Sequence, residues 1–166
     1  MRAFHHAPIV AVGFVLAGLL SGTPAVAAKR PPAPEPDLRI IQVTTSTDSF
    51  VPGQGTLDLT IEVDLPTYLD GDILLEVSSL ISSPSKRSMR FLTSRQPVTV
   101  PQANGASIVS VTLTWDGTDQ RAQAVGSGRY SYEVRAKLLA VGEKGPRTLM
   151  LSWPKRGVIE VKRRDQ

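Results

Sequence analysis

Cysteine is absent from the 166 residues, and the only two histidines, His5 and His6, stand near the N-terminus. No disulfide can staple this chain. Past His6 there is no imidazole or thiol to serve as general base, nucleophile or zinc ligand. That removes Ser-His and Cys-His catalysis and the usual zinc sites. Aromatic residues are also scarce, at 5 %. With few apolar patches in view for a partner, that scarcity points to a monomer. After residue 27 no helical period and no repeat of domain size is visible, and no metal or cofactor is expected. Stability must come from an apolar core, which a chain of about 130 residues can bury.

What is present begins with an address. Arg2 is followed by an apolar run from Ile9 to Leu20, then by Ser21, Gly22 and Pro24, then by the small residues of Ala25-Val26-Ala27. A membrane span needs about 20 apolar residues, and this run is shorter. Residues 1–27 therefore read as a secretory signal peptide, with no cysteine behind them for a lipid anchor and no transmembrane span after removal. The mature chain is expected in the periplasm or outside the cell. Without Arg2 it carries 18 Lys and Arg against 15 Asp and Glu, a net +3. Neither that charge nor the aromatic content supports nucleic-acid binding. Residues 28–36 (AKRPPAPEP) form a proline-rich linker, and 37–166 the domain.

The domain reads as strands separated by turns. Leu38 to Thr45 is β-branched and apolar, and Val51 to Gly55 is a loop. Leu57 to Leu65 alternates apolar and polar residues without a break, the pattern of a half-buried strand. Asp70-Gly71 is a tight-turn pair, and Ile73 to Ser79 the next strand. The serine-rich stretch from Ser78 to Ser88 reads as a strand end and an exposed connection. Met89 to Thr93 is a short strand, and Pro97 to Pro101 an edge segment. Asn104-Gly105 is a turn. Ile108 to Trp115 and Gly128 to Leu139 alternate again, with Tyr130, Tyr132, Val134, Ala136 and Leu138 on one face of the second. Glu143-Lys144-Gly145 turns into Arg147 to Trp153, and Val158 to Lys162 closes the chain. Seven to nine such strands make a sandwich or a barrel.

Thr114 to Val134 (TWDGTDQRAQAVGSGRYSYEV) carries a motif. Trp115-Asp116-Gly117, Val125, Ser127-Gly128, Tyr130 and Tyr132 resemble the immunoglobulin-like domain of the flagellar hook-capping protein FlgD and of many secreted bacterial proteins. The resemblance implies an all-β, immunoglobulin- or fibronectin-type-III-like antiparallel β-sandwich, and no activity. In physical terms the motif is structural. Trp115 fills the core at a strand end. Asp116 and Gly117 turn the chain. Val125 pins the loop back, Gly128 permits a close backbone approach, and Tyr130 and Tyr132 fill the sandwich and hold a corner. The family usually has glycine where Ala122 stands, so the loop is expected to turn differently there.

Candidate sites are few. Asp70-Gly71-Asp72 and Asp116 with Asp119 supply too few oxygens for calcium and fit turn chemistry instead. Ser83-Pro84-Ser85-Lys86 matches the S-x-x-K spacing of penicillin-binding enzymes, but Pro84 breaks the helix that the chemistry requires. Asp58, Glu62 and Asp64 line the outer face of one strand, and Arg129, Arg135 and Lys137 that of another. These are solvated faces, open to cross-strand ion pairs or to a charged partner. Lys155, Arg156, Lys162, Arg163 and Arg164 make a basic, solvated C-terminal end. Lys86 and Arg87 stand out as possible partner contacts in the loop Ser82–Ser88.

Two functions are expected from this. One is a non-enzymatic exported accessory, binding or structural module, meeting an unknown protein or glycan through a sheet face or loops. The other is a proteinase inhibitor presenting Ser82–Ser88 in extended form, because the BsuPI family of bacterial inhibitors is similar in architecture and shares a Trp-Asp…Gly-x-Tyr pattern.

Overall fold

Period-two stretches become strands wherever a second sheet is available to cover their apolar side. The computed structural model describes residues 36–68, 71–98 and 107–163. Nine strands occur among them: β1 (Arg39–Thr45), β2 (Ser49–Phe50), β3 (Leu57–Leu65), β4 (Ile73–Ser82), β5 (Ser88–Val98), β6 (Ser107–Trp115), β7 (Gly128–Gly142), β8 (Gly145–Leu151) and β9 (Lys155–Val161). The signal peptide, residues 28–35, Asn104-Gly105, Arg164 and Asp70 lie outside the described residues.

A three-stranded sheet runs β1-β3-β6, and a six-stranded sheet runs β2-β9-β7-β4-β5 with β8 also on β7. The chain thus crosses between sheets from β1 to β2, and β2 lies parallel to β9. With every other pairing antiparallel, this is an immunoglobulin-like β-sandwich. The core lies between the two sheets. Leu57, Leu59, Ile61 and Val63 of β3 are wholly buried, as are Leu75, Val77 and Ile81 of β4 and Val134, Ala136 and Leu138 of β7.

Besides β9 beginning at Lys155 rather than Val158 and β7 running to Gly142 rather than Leu139, three readings of the sequence change. β4 does not end at Ser79 but runs to Ser82. Its serines are tolerated because β4 is central, paired with β5 on one side and β7 on the other. Ser79 takes an inward position in the same alternation as Leu75 and Val77, with its hydroxyl finding no partner among the described residues. The serine-rich connection therefore shrinks to five residues, 83–87, between paired Ser82 and Ser88. β5 is one continuous strand of 11 residues, where the sequence showed two pieces. Pro97 sits inside it, and β5 is an edge strand that pairs with β4 alone, the position where a missing N–H costs least. Third, Arg147 to Trp153 stops as a strand at Leu151. Ser152 replaces the strand ladder there: its amide donates to the Ala136 carbonyl (2.9 Å) and its hydroxyl accepts from the Ala136 amide (2.9 Å). β8 and β9 are one long strand along β7 with this interruption between them.

Candidate functional site

The Trp115 motif builds the lower corner of the sandwich. The indole is wholly buried, lies 5.7 Å from the Phe50 ring and 5.8 Å from the Tyr130 ring, and donates to the Thr118 carbonyl (2.8 Å). Asp116 accepts from the Thr118 hydroxyl (2.7 Å) and amide (3.0 Å), and these bonds hold its carboxyl below the ordinary 3.8. Gly117 has φ 75°, and a side chain there would meet Phe50 at 2.7 Å and Pro52 at 2.9 Å. The Val125 amide donates to the Gly117 carbonyl (3.0 Å). Gly128, at φ 150°, faces the Pro84 ring, not a backbone. The Tyr130 hydroxyl donates to the Gly126 carbonyl (3.0 Å). Among the described residues the Tyr132 hydroxyl makes no such bond, and it lies against Gly157. These groups bond to and pack on each other, which holds the loop.

Ala122 stands at φ 59°, a left-handed conformation that glycine adopts more readily than alanine. Asp119 holds it there, accepting from the amides of Arg121 (2.8 Å) and Gln123 (3.0 Å). The loop therefore holds a non-glycine residue in a strained turn. Ala122→Gly is expected to stabilise the protein by up to about 1 kcal/mol in urea unfolding, the left-handed strain outweighing the extra freedom of an unfolded glycine.

Lys86 and Arg87 sit in a closed turn. The Ser83 amide donates to the Arg87 carbonyl (2.8 Å), the Lys86 amide to the Ser83 carbonyl (2.8 Å) and the Arg87 amide to the Ser83 hydroxyl (3.1 Å). Lys86 has φ 62°. An inhibitory loop enters a protease cleft extended, and this segment is folded back.

The charged faces belong to different sheets. Asp58, Glu62 and Asp64 are on β3, whereas Arg129, Arg135 and Lys137 are on β7, so they do not pair with one another. Register instead brings Glu76 of β4 between Arg95 of β5 and Lys137 of β7. Arg95 Nε lies 2.5 Å from Glu76 Oε2 and Lys137 Nζ lies 3.2 Å from Oε1. Further along, Glu133 accepts from Arg156 Nε (2.7 Å) and Arg135 Nη2 (2.7 Å). Each carboxylate is shared by two cations, and each is less exposed than either of its partners, 9 % for Glu76 and 26 % for Glu133. The solvent-facing layer is therefore cationic. Arg156, assigned to the solvated C-terminal end from the sequence, is part of this face. Apolar side chains share it: Phe91 and its register partner Leu80, Leu151 beside Lys137, and Val158 beside Ser131, with Phe91 55 % exposed. At its margin a shallow groove of about 790 Å³ is lined by Asp48, Arg129, Val158, Glu160 and Lys162. Among the described residues no three acidic groups converge on a cation site.

Burial pushes the Glu76 carboxyl up, but the bonds from Arg95 and Lys137 outweigh it and hold it below the ordinary 4.5. The bonds from Arg156 and Arg135 hold Glu133 below 4.5 as well. A depressed carboxylate stabilises the fold above its unfolded value and loses that contribution as pH falls through the lower folded value. The melting temperature is therefore expected to be level near neutrality and to fall below pH 4.5, the unfolded value of both groups. Glu76→Gln is expected to cost about 1 kcal/mol at neutral pH, since its partners are partly solvated. It should also flatten the acid limb of that melting curve.

Sequence reasoning placed Arg129, Arg135 and Lys137 on this face but missed its shared carboxylates, Glu76 and Glu133, which gain meaning only from strand order. No family model and no curated protein matches the chain. Nine chains among solved structures do. One is AggA, the major subunit of aggregative adherence fimbriae type I from Escherichia coli, at 9 % identity and TM-score 0.39, covering 76 % of this chain and 96 % of that one. Another is a β-glucuronidase from glycoside hydrolase family 2, at 14 % identity and TM-score 0.38, covering 75 % of this chain but 13 % of that one.

Proposed function

We propose that the chain is a non-enzymatic exported module of the cell envelope or extracellular space that binds through the outer face of its six-stranded sheet. The observation that supports this most is the mixture on that face: Arg95, Arg135, Arg156 and Lys137 over two shared carboxylates, with Phe91, Leu80, Leu151 and Val158 exposed among them. Arginine and aromatic residues are the types enriched at protein interfaces. Terminal guanidinium groups already oriented by an inner carboxylate lose little freedom on meeting an acidic partner. Export rests on the signal-like residues 1–27.

The test is retention of the mature protein on its native envelope or secreted fraction. Wild type should be held at low salt and released at high salt. Arg135→Glu with Arg156→Glu should be lost at low salt while melting within a few degrees of wild type. Equal retention of the two proteins would remove the sheet face from the account.

A further inference from the structure

The two outer faces of the sandwich have opposite sign. Register places Arg95, Arg129, Arg135, Lys137 and Arg156 on the outside of the six-stranded sheet, against Glu76, Glu133 and Glu160. On the outside of the three-stranded sheet it places Asp58, Glu62 and Asp64 against Arg39. Arg39 pairs with Asp64 at 2.8 Å. Asp58 accepts from the Thr114 hydroxyl (2.7 Å). Glu62, in the middle of the central strand, makes no side-chain bond among the described residues. On the basic face Arg95 and Arg156 engage their carboxylates through Nε, and both side chains are more than half exposed. Ile108, 54 % exposed, lies beside Asp64 and gives the acidic face an apolar counterpart to Phe91.

We propose that these faces pair with one another between copies of this chain, the basic face of one molecule on the acidic face of the next. The inference rests on the functional reading above and names its partner. Such a contact is heterologous, since each molecule uses two different surfaces. Each added copy leaves one face of each kind open, so the assembly grows as a row and does not stop at a dimer. The acidic face is three strands across, roughly 10–15 Å at the usual strand spacing, so the contact is at the small end of interface sizes and is weak and salt-sensitive. The expectation of a monomer rested on sparse apolar surface. Folding collects Phe91, Leu80, Leu151 and Val158 on one face, which composition could not show.

Sedimentation of the mature protein over a range of concentrations tests this. At low salt the average mass should climb with concentration past that of a dimer. It should return to monomer at 1 M salt, where the screening length is about 3 Å. Arg135→Gln with Arg156→Gln neutralises the basic face, and Glu62→Gln with Asp64→Asn neutralises the acidic one. Each variant alone should be monomeric, its association weakened at least about tenfold. Mixed together, they should form a one-to-one complex that does not grow, because each retains one intact face. A wild type that stays monomeric at every concentration and salt overturns self-pairing. So does a closed dimer from either variant alone. If the monomeric wild type is still retained by its native fraction through the basic face, the functional reading stands and the occupant is a different acidic partner. If a variant fails to fold, the concentration and salt series on wild type decides alone.

Discussion

Trp115→Ala is expected to cost about 3–5 kcal/mol in urea unfolding, a large share of the roughly 5–15 kcal/mol that holds a domain together. The indole is wholly buried, packs against Phe50 and Tyr130 and satisfies the Thr118 carbonyl. Its loss opens a cavity where β3 meets β6, since Trp115 is the register partner of Leu57. It also frees the loop whose Gln120 amide bonds the Met89 carbonyl at 2.8 Å. Trp115→Phe should cost less, about 1–3 kcal/mol, because most of the apolar volume remains and the indole bond does not. Circular dichroism can follow both variants, and Trp153, half-exposed, remains as a fluorophore. A cost under 1 kcal/mol for the alanine variant would mean that the motif is not the corner of the fold.

The second large effect lies across the sandwich. Gly157 is the register partner of Tyr132, and a side chain there would come within 2.2 Å of the tyrosine ring and hydroxyl. Gly157→Ala should therefore push the ring out of its place over β9, at about 1–3 kcal/mol. Tyr132→Ala should cost about 3–5 kcal/mol by leaving a cavity. The two should be strongly non-additive: with the ring gone, Gly157→Ala should cost close to nothing. Additive costs would show that the glycine is not there to seat Tyr132.

How much of this could be read beforehand varies by element. β3, β6 and β7 were legible because a strict period of two marks a strand with one covered side, and Leu57–Leu65 begins and ends at the expected residues. β2 was not, because two residues carry no period and Ser49–Phe50 is held by its parallel neighbour β9. The end of β4 was hidden by its serines, whose strand character comes from neighbours on both sides. Gly157 precedes the strand expected from Val158, yet it lies inside β9 and seats an aromatic ring. The Trp-Asp-Gly motif was visible as a turn, but the left-handed Ala122 was not, since its conformation is set by Asp119. The proposed binding face was least legible. Arg135 and Lys137 could be placed on one side of a strand, yet their partners, Glu133 beside Arg156 and Glu76 beside Arg95, depend on which strands become neighbours. That is a long-range outcome, and alternation within one strand does not encode it.

The most direct measurement is position-resolved photo-crosslinking of the mature protein in its native host. A probe at Phe91 or at Arg129 should give discrete products that weaken with salt, while probes at Gln123 and Lys144, on loops at the ends of the strands, should give none. Products from Gln123 or Lys144 with none from Phe91 and Arg129 would contradict binding through the six-stranded sheet.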